Sequence, residues 1–156
     1  MSKTNVIRIL EANGVNHTVI TYKFSDDETD AISVAKKIGA DAETVFKTLA
    51  ARGDKNGINV FCIPANSELN LKKAATASNN KNIEMIKVKD LFPLTGYIRG
   101  GCSPIGMKKN YPTYFDETVQ LFDSIYVSAG ARGMQVRLSP FDLINLIKAK
   151  FADLVN

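Results

Sequence analysis

Two apolar runs, residues 45–51 and 58–63, flank the turn-rich connection Asp54-Lys55-Asn56-Gly57, and this pattern constrains the fold more than any other feature. Strand-length apolar runs joined in this way read as a β-hairpin. Around it helical and strand-like segments alternate, with no Pro/Gly/Ser-rich linker and no internal repeat. Such alternation predicts an α/β domain, a mixed sheet with surrounding helices. At 156 residues the chain suits one core better than two small ones, so residues 1–156 are read as a single domain.

The remaining elements follow from periodicity and caps. Val6, Ile7 and Leu10 predict a helix over residues 4–13 ended by Gly14, and residues 17–22 predict a strand. Asp30 is placed to cap a helix over residues 30–38, with Ala31, Ile32, Ala35 and Ile38 as its apolar stripe and Gly39 as its stop. Residues 67–77 read as helix, 83–86 as strand, and 97–99 as a short strand feeding the glycine-rich segment 100–106. Residues 124–128 and 134–138 form a second strand pair around the permissive turn 129–133. Ser139 and Pro140 open a last helix whose buried face is Leu143, Ile144, Ile147 and Phe151.

Composition narrows the function classes. A hydrophobic share of 45% with 23% charged residues belongs to a folded globular protein rather than a disordered one. The net charge of +4 favours contact with a polyanion, although spread lysines also serve solubility. Cys62 and Cys102 form neither a CxxC pair nor a disulfide framework, which suggests free thiols in a reducing compartment. Residues 1–10 mix Lys3, Asn5 and Arg8 into their apolar positions, and no stretch approaches a membrane span of about 20 apolar residues. A cytoplasmic protein without a membrane partner is expected.

Candidate chemistry is sparse. The single histidine, His17, leaves little basis for a histidine triad or a histidine-rich metal site. Lys47 shares a strand face with Val45 and Leu49, so it either points inward as a fixed charge or lies at a strand edge with its ammonium in water. The segment Gly100-Gly101-Cys102-Ser103-Pro104-Ile105-Gly106 offers unobstructed backbone amides for an oxyanion hole, or is simply a chain reversal. It matches neither a P-loop nor a dinucleotide fingerprint. Cys102 is a conceivable nucleophile, but no histidine near it in sequence would activate it.

At these places, and beyond them, the sequence resembles the YbaK family, relatives of the editing domain of bacterial prolyl-tRNA synthetases. Phe46-Lys47-Thr48-Leu49, Leu71-Lys72-Lys73-Ala74-Ala75, Gly96-Tyr97, the glycine loop, and Tyr126-Val127-Ser128-Ala129-Gly130-Ala131-Arg132-Gly133 occur in the family's order. The resemblance implies a curved mixed sheet and a pocket between Lys47 and the glycine loop for the aminoacyl end of tRNA. It implies catalytic roles for Lys47 and Gly101, and substrate contacts from Tyr22, Phe46, Thr48, Gly100, Ser103, Pro104 and Ser128.

The activity so implied is trans-editing of mischarged Cys-tRNA(Pro), with the cysteine thiol attacking its own ester and no metal or cofactor needed. Cysteine and proline are close in volume, so a synthetase pocket separates them poorly and a second site must remove the error. The partners expected are the tRNA acceptor end carrying cysteine and, as a candidate, prolyl-tRNA synthetase. Two other readings stay open: an Ala-tRNA(Pro) deacylase, and a non-catalytic module binding tRNA or synthetase.

Overall fold

The computed structural model describes residues 3–156; the expectation for residues 1 and 2 lies outside it. Helix α1, Asn5–Ala12, begins where the Thr4 hydroxyl accepts from the Ile7 amide at 3.3 Å and buries Val6, Ile7 and Leu10. Strand β1, His17–Thr21, follows. Helix α2, Ala31–Ile38, is capped by Asp30, which accepts from the Ser33 amide at 3.1 Å, and ends at Gly39 with φ 69°. Its stripe differs from the expectation, because Val34 and Ala35 are buried whereas Ile32 is 42% exposed.

The hairpin forms as expected: β2, Phe46–Gly53, pairs antiparallel with β3, Gly57–Pro64, in continuous register. Helix α3 is Leu71–Ala77, four residues shorter at its start than expected, because Leu69 bridges Val155 and Asn70 caps the Lys73 amide. Strand β4, Ile83–Met85, pairs with residues 51–53 of β2. Sequence periodicity missed helix α4, Val88–Thr95, because Pro93 lies inside it and Lys87 makes no side-chain cap.

Residues 97–99 are not a strand. They form a turn in which the Gly101 amide donates to the Ile98 carbonyl at 3.0 Å, and Gly100 takes φ 86°. Strand β5, Thr113–Asp116, was also missed; it is parallel to β3. Strands β6, Ile125–Ala131, and β7, Met134–Leu138, pair as expected, but β6 runs three residues further and carries a bulge between Ser128 and Ala131. The turn is thereby shortened to Arg132 and Gly133, the latter at φ 83°.

Helix α5, Pro140–Ile147, is capped by Ser139 and buries Leu143 and Ile144. It stops at Lys148, which takes φ 55°, so Phe151 is not on its buried face. Phe151 instead lies in strand β8, Lys150–Ala152, which pairs in parallel with β5, and it remains 38% exposed.

The strands form a mixed α/β fold with two sheets where one was expected: a five-stranded mixed sheet, β4-β2-β3-β5-β8, and a three-stranded antiparallel sheet, β1-β7-β6. A parallel bridge between Val45 and Tyr126 joins them. The main core, with Phe46, Phe115, Val127 and Val136, is closed by Leu10 of α1 and Leu143 of α5. A second cluster packs Ala74 and Ala75 of α3 on Phe61 and Ile63. No helix among the described residues is long and apolar enough to cross a membrane.

Candidate active site

A cavity follows from unequal pairing of β2. Strand β3 covers its whole length, but β4 pairs only with residues 51–53, and β6 adds a single bridge, from Tyr126 to Val45 just before β2. Residues 46–50 therefore present an incompletely paired edge, with the Ala50 carbonyl taken by the Ile86 amide at 3.3 Å. Over this edge lies a cavity of about 390 Å³. The start of α2, the β4–α4 corner, the glycine loop, Ser128 and Gln135 close it.

Lys47 reaches this cavity, and its Nζ donates to the Ala65 carbonyl at 3.2 Å. Desolvation pulls its pKa below the ordinary lysine value, while the charges of Glu68 and Asp30 pull it back up. Lys47 combines features of both alternatives, lying half-buried on the incompletely paired edge of β2 while lining the cavity. Asp30 stands at the rim, its carboxyl held below the usual range first by hydrogen bonds from Ser33 and then by Lys36.

Of the residues singled out in the sequence, Phe46, Lys47, Thr48, Gly100 and Ser128 line the cavity together. Gly101 sits behind this wall. A Cβ on it would stand 3.1 Å from the Arg132 nitrogen and 3.2 Å from the Ala131 carbonyl carbon. Its glycine identity therefore lets the loop lie on the β6–β7 hairpin, and its own amide is spent on Ile98. The amides of Gly100 and Cys102, on either side, have no backbone acceptor among the described residues.

The other expected contacts lie outside the cavity. Ser103 is fully buried and its Oγ accepts from the Ile105 amide at 3.2 Å, which shapes the loop. Pro104 faces a separate cavity of about 540 Å³ with Met107, Tyr111 and Ile147. The Tyr22 amide donates to the Gly133 carbonyl at 2.9 Å, tying the end of β1 to the β6–β7 turn. His17 is likewise remote, with its Nδ1 2.8 Å from the Val15 carbonyl oxygen.

The cavity also holds residues that the sequence did not single out. Gln135 is 5% exposed and its Oε1 has no hydrogen-bond partner. It stands opposite Ser128 in the β6–β7 register, and Ser128 Oγ accepts from the Gly130 amide at 3.1 Å. A buried acceptor left unpaired costs about 1–3 kcal/mol, so a donor on a ligand would relieve it. Alternation along β7 puts Gln135 with exposed Arg137 on the face opposite Val136 and Leu138, so only the fold shows that a cavity lies there.

Cys102 lines the cavity, yet burial pushes its thiol up to about 12 against the lowering effect of Thr95. Cys62 is fully buried and shifted further in the same direction by desolvation. Neither thiol supplies a thiolate near neutral pH. No group of three or more His, Cys, Asp or Glu side chains among the described residues could hold a metal ion. What the arrangement can do is fix a positive charge and loop amides around a carbonyl or phosphate.

This geometry has relatives. The chain is 48% identical over 152 residues to the Enterococcus faecalis protein named "Putative Cys-tRNA(Pro)/Cys-tRNA(Cys) deacylase EbsC", covering 97% of this chain and 93% of that one. A crystal structure of a "putative trans-editing enzyme for prolyl tRNA synthetase" superposes with a TM-score of 0.82 at 24% identity, covering 99% of both chains. Hypothetical protein APE2540 superposes with a TM-score of 0.89 at 20% identity, covering 98% of this chain and 100% of that one. These two likenesses establish the fold. The aminoacyl-tRNA editing domain matches residues 26–146, from the segment before α2 into α5, and this chain therefore belongs to the aminoacyl-tRNA editing domain family.

Proposed function

We propose that this protein, acting in trans as one domain in the cytoplasm, removes cysteine from mischarged tRNA(Pro). The observation that carries the reading is a cavity with a lysine charge and loop amides but no ionised protein nucleophile. A site of that kind suits a substrate that brings its own nucleophile. Cysteine esterified to tRNA does so, and the relative from Enterococcus faecalis carries that substrate in its name.

In this reaction the substrate sulfur bonds to its own carbonyl carbon and the ester C–O bond breaks. The ribose oxygen leaves with the proton given up by the thiol, and water later opens the thiolactone to free cysteine. The Gly100 and Cys102 amides receive the developing oxyanion, while Lys47 holds the terminal nucleotide or its phosphate. Ser128 and Gln135 orient the aminoacyl group, the unpaired Gln135 oxygen accepting from its ammonium. Phe46 and Thr48 complete the wall, and Gly101, Ser103, Pro104 and Tyr22 hold the loop and hairpin in place. Prolyl-tRNA synthetase, which makes the error, is the partner this activity would serve.

Purified protein is assayed on cysteinyl-, alanyl- and prolyl-tRNA(Pro). Rapid loss of cysteine alone, with thiolactone appearing before free cysteine, is the expected result. Preferential release of alanine would replace the substrate assignment, and absence of turnover on all three would leave a binding module.

A further inference from the structure

Helix α4 turns an apolar face to solvent. Val88 and Phe92, one helical turn apart, are 60% and 54% exposed, and Ile98 just beyond the helix is 49% exposed. Leu91 on the same helix lines the active-site cavity, as does Val88, so the exposed face continues from the cavity mouth. Isolated exposed apolar residues need no explanation, but a contiguous face rooted in a binding cavity does.

The chain segment that carries this face is basic. Residues 84–109 hold five basic side chains, Lys87, Lys89, Arg99, Lys108 and Lys109, against two acidic ones, Glu84 and Asp90. That surplus of three is most of the net +4 of the whole chain. Lys108 places its Nζ 5.1 Å from the centre of the Phe92 ring and donates to the Pro93 carbonyl at 3.4 Å. An exposed aromatic ring with cations beside it is the ordinary apparatus for single-stranded nucleic acid, where bases stack on the ring and phosphates meet the cations.

We propose that α4, through Phe92 and its flanking lysines, is the platform on which the unpaired nucleotides next to the terminal aminoacyl-adenosine of tRNA stack. The proposal rests on the deacylase reading above. A cavity of about 390 Å³ accommodates the aminoacyl group and its nucleoside but not the tail behind them, which must leave through the mouth bordered by Val88. Charge and continuity with the cavity favour RNA over a protein partner on this face.

The test uses Phe92→Ser and Lys89→Gln, both at exposed positions, in two assays. In the first, turnover of cysteinyl-tRNA is compared with turnover of cysteinyl-adenosine, which has no tail. Phe92→Ser should raise KM for the tRNA about 10-fold or more while leaving kcat, and all turnover of cysteinyl-adenosine, unchanged. Lys89→Gln should lower the slope of log(kcat/KM) against log salt by about 0.7, the loss of one phosphate contact.

The second assay is fluorescence anisotropy with a labelled single-stranded RNA ending in CCA, which needs no turnover. Phe92→Ser should weaken that binding by about the same factor. Unchanged KM and unchanged RNA binding overturn the platform, as does equal damage to both substrates. A variant that binds RNA normally but no longer responds to added prolyl-tRNA synthetase overturns it in favour of a protein-docking face. If the unaltered protein turns over neither substrate, the deacylase reading has failed, and the anisotropy result still decides whether α4 binds RNA.

Discussion

Gly101→Ala separates two roles for the glycine loop, and the structure supplies its magnitude. The added methyl carbon would stand 3.1 Å from the Arg132 nitrogen, 3.2 Å from the Ala131 carbonyl carbon and 3.3 Å from the Ala131 Cα. Carbon contacts are comfortable at about 3.5–4.0 Å, so each neighbour must yield by a few tenths of an ångström. All three are backbone atoms beside the β6 bulge, where no side chain can swing aside. The φ of Gly101 is not in the left-handed region, so alanine meets no backbone strain of its own.

The cost is therefore that of overpacking, about 1–3 kcal/mol. For a chain of this size, about 2 kcal/mol lowers the melting temperature by about 4–8 °C. Because Gly100 and Cys102 line the cavity, a displaced loop also moves the amides offered to the carbonyl. A misplacement of about 1 Å can cost about 100-fold, and the smaller shift expected here should cost about 10-fold. Thermal melting by circular dichroism and kcat/KM on cysteinyl-tRNA are measured on the same preparation. Lost activity at an unchanged melting temperature would refute the packing argument and return Gly101 to a ligand-facing role. Unchanged stability and activity would refute both.

Lys47→Met should lower kcat/KM by about 100-fold or more without lowering the melting temperature, because folding no longer desolvates an ammonium. Its depressed pKa makes the protonated lysine a cost to folding that is complete below the folded value and is relieved as pH rises from there to the ordinary 10.5. Lys47→Arg should shift the alkaline limb of the pH–rate profile upward, and an unmoved limb would detach that ionisation from Lys47. Cys62→Ala combined with Cys102→Ala should still deacylate cysteinyl-tRNA and react poorly with seryl-tRNA, since a hydroxyl is far less ionised than a thiol; loss of turnover in the folded double variant would sink the substrate-thiol mechanism. Burial raises Cys102 and Tyr97 to about 12 each from 9.0 and 10.0, so the unfolded chain ionises first. Stability should be complete below about pH 9 and fall toward pH 12, and melting of Cys102→Ala should show a shallower decline from pH 9.

Local chemistry was enough to read much of this protein from its residues. Asp30 and Gly39 bound α2, Ser139 and Pro140 open α5, and the turn residues of the β2–β3 connection specify their hairpin without help from distant parts of the chain. Local chemistry left Lys47 and the glycine loop open between two readings each; the family resemblance joined them with Ser128, and the fold brings Lys47, Gly100 and Ser128 to one cavity. Strands β5 and β8 left no local signature: they are four and three residues long, and what makes them strands is parallel pairing with partners far away in sequence. Helix α4 was hidden by Pro93, which breaks the local pattern, although Gly96 still ends the helix and the Tyr111 hydroxyl donates to the Leu94 carbonyl. The division of the glycine loop was also invisible in sequence. Gly100 and Gly101 are adjacent and chemically identical, yet one lines the cavity and the other packs on the Ala131–Arg132 backbone. Gln135 became a candidate only when the fold placed it in the cavity with its oxygen buried and without a partner. Caps, turns and periodicity act within a few residues and so are written locally, whereas a cavity and an unpaired buried oxygen exist only after distant strands have met.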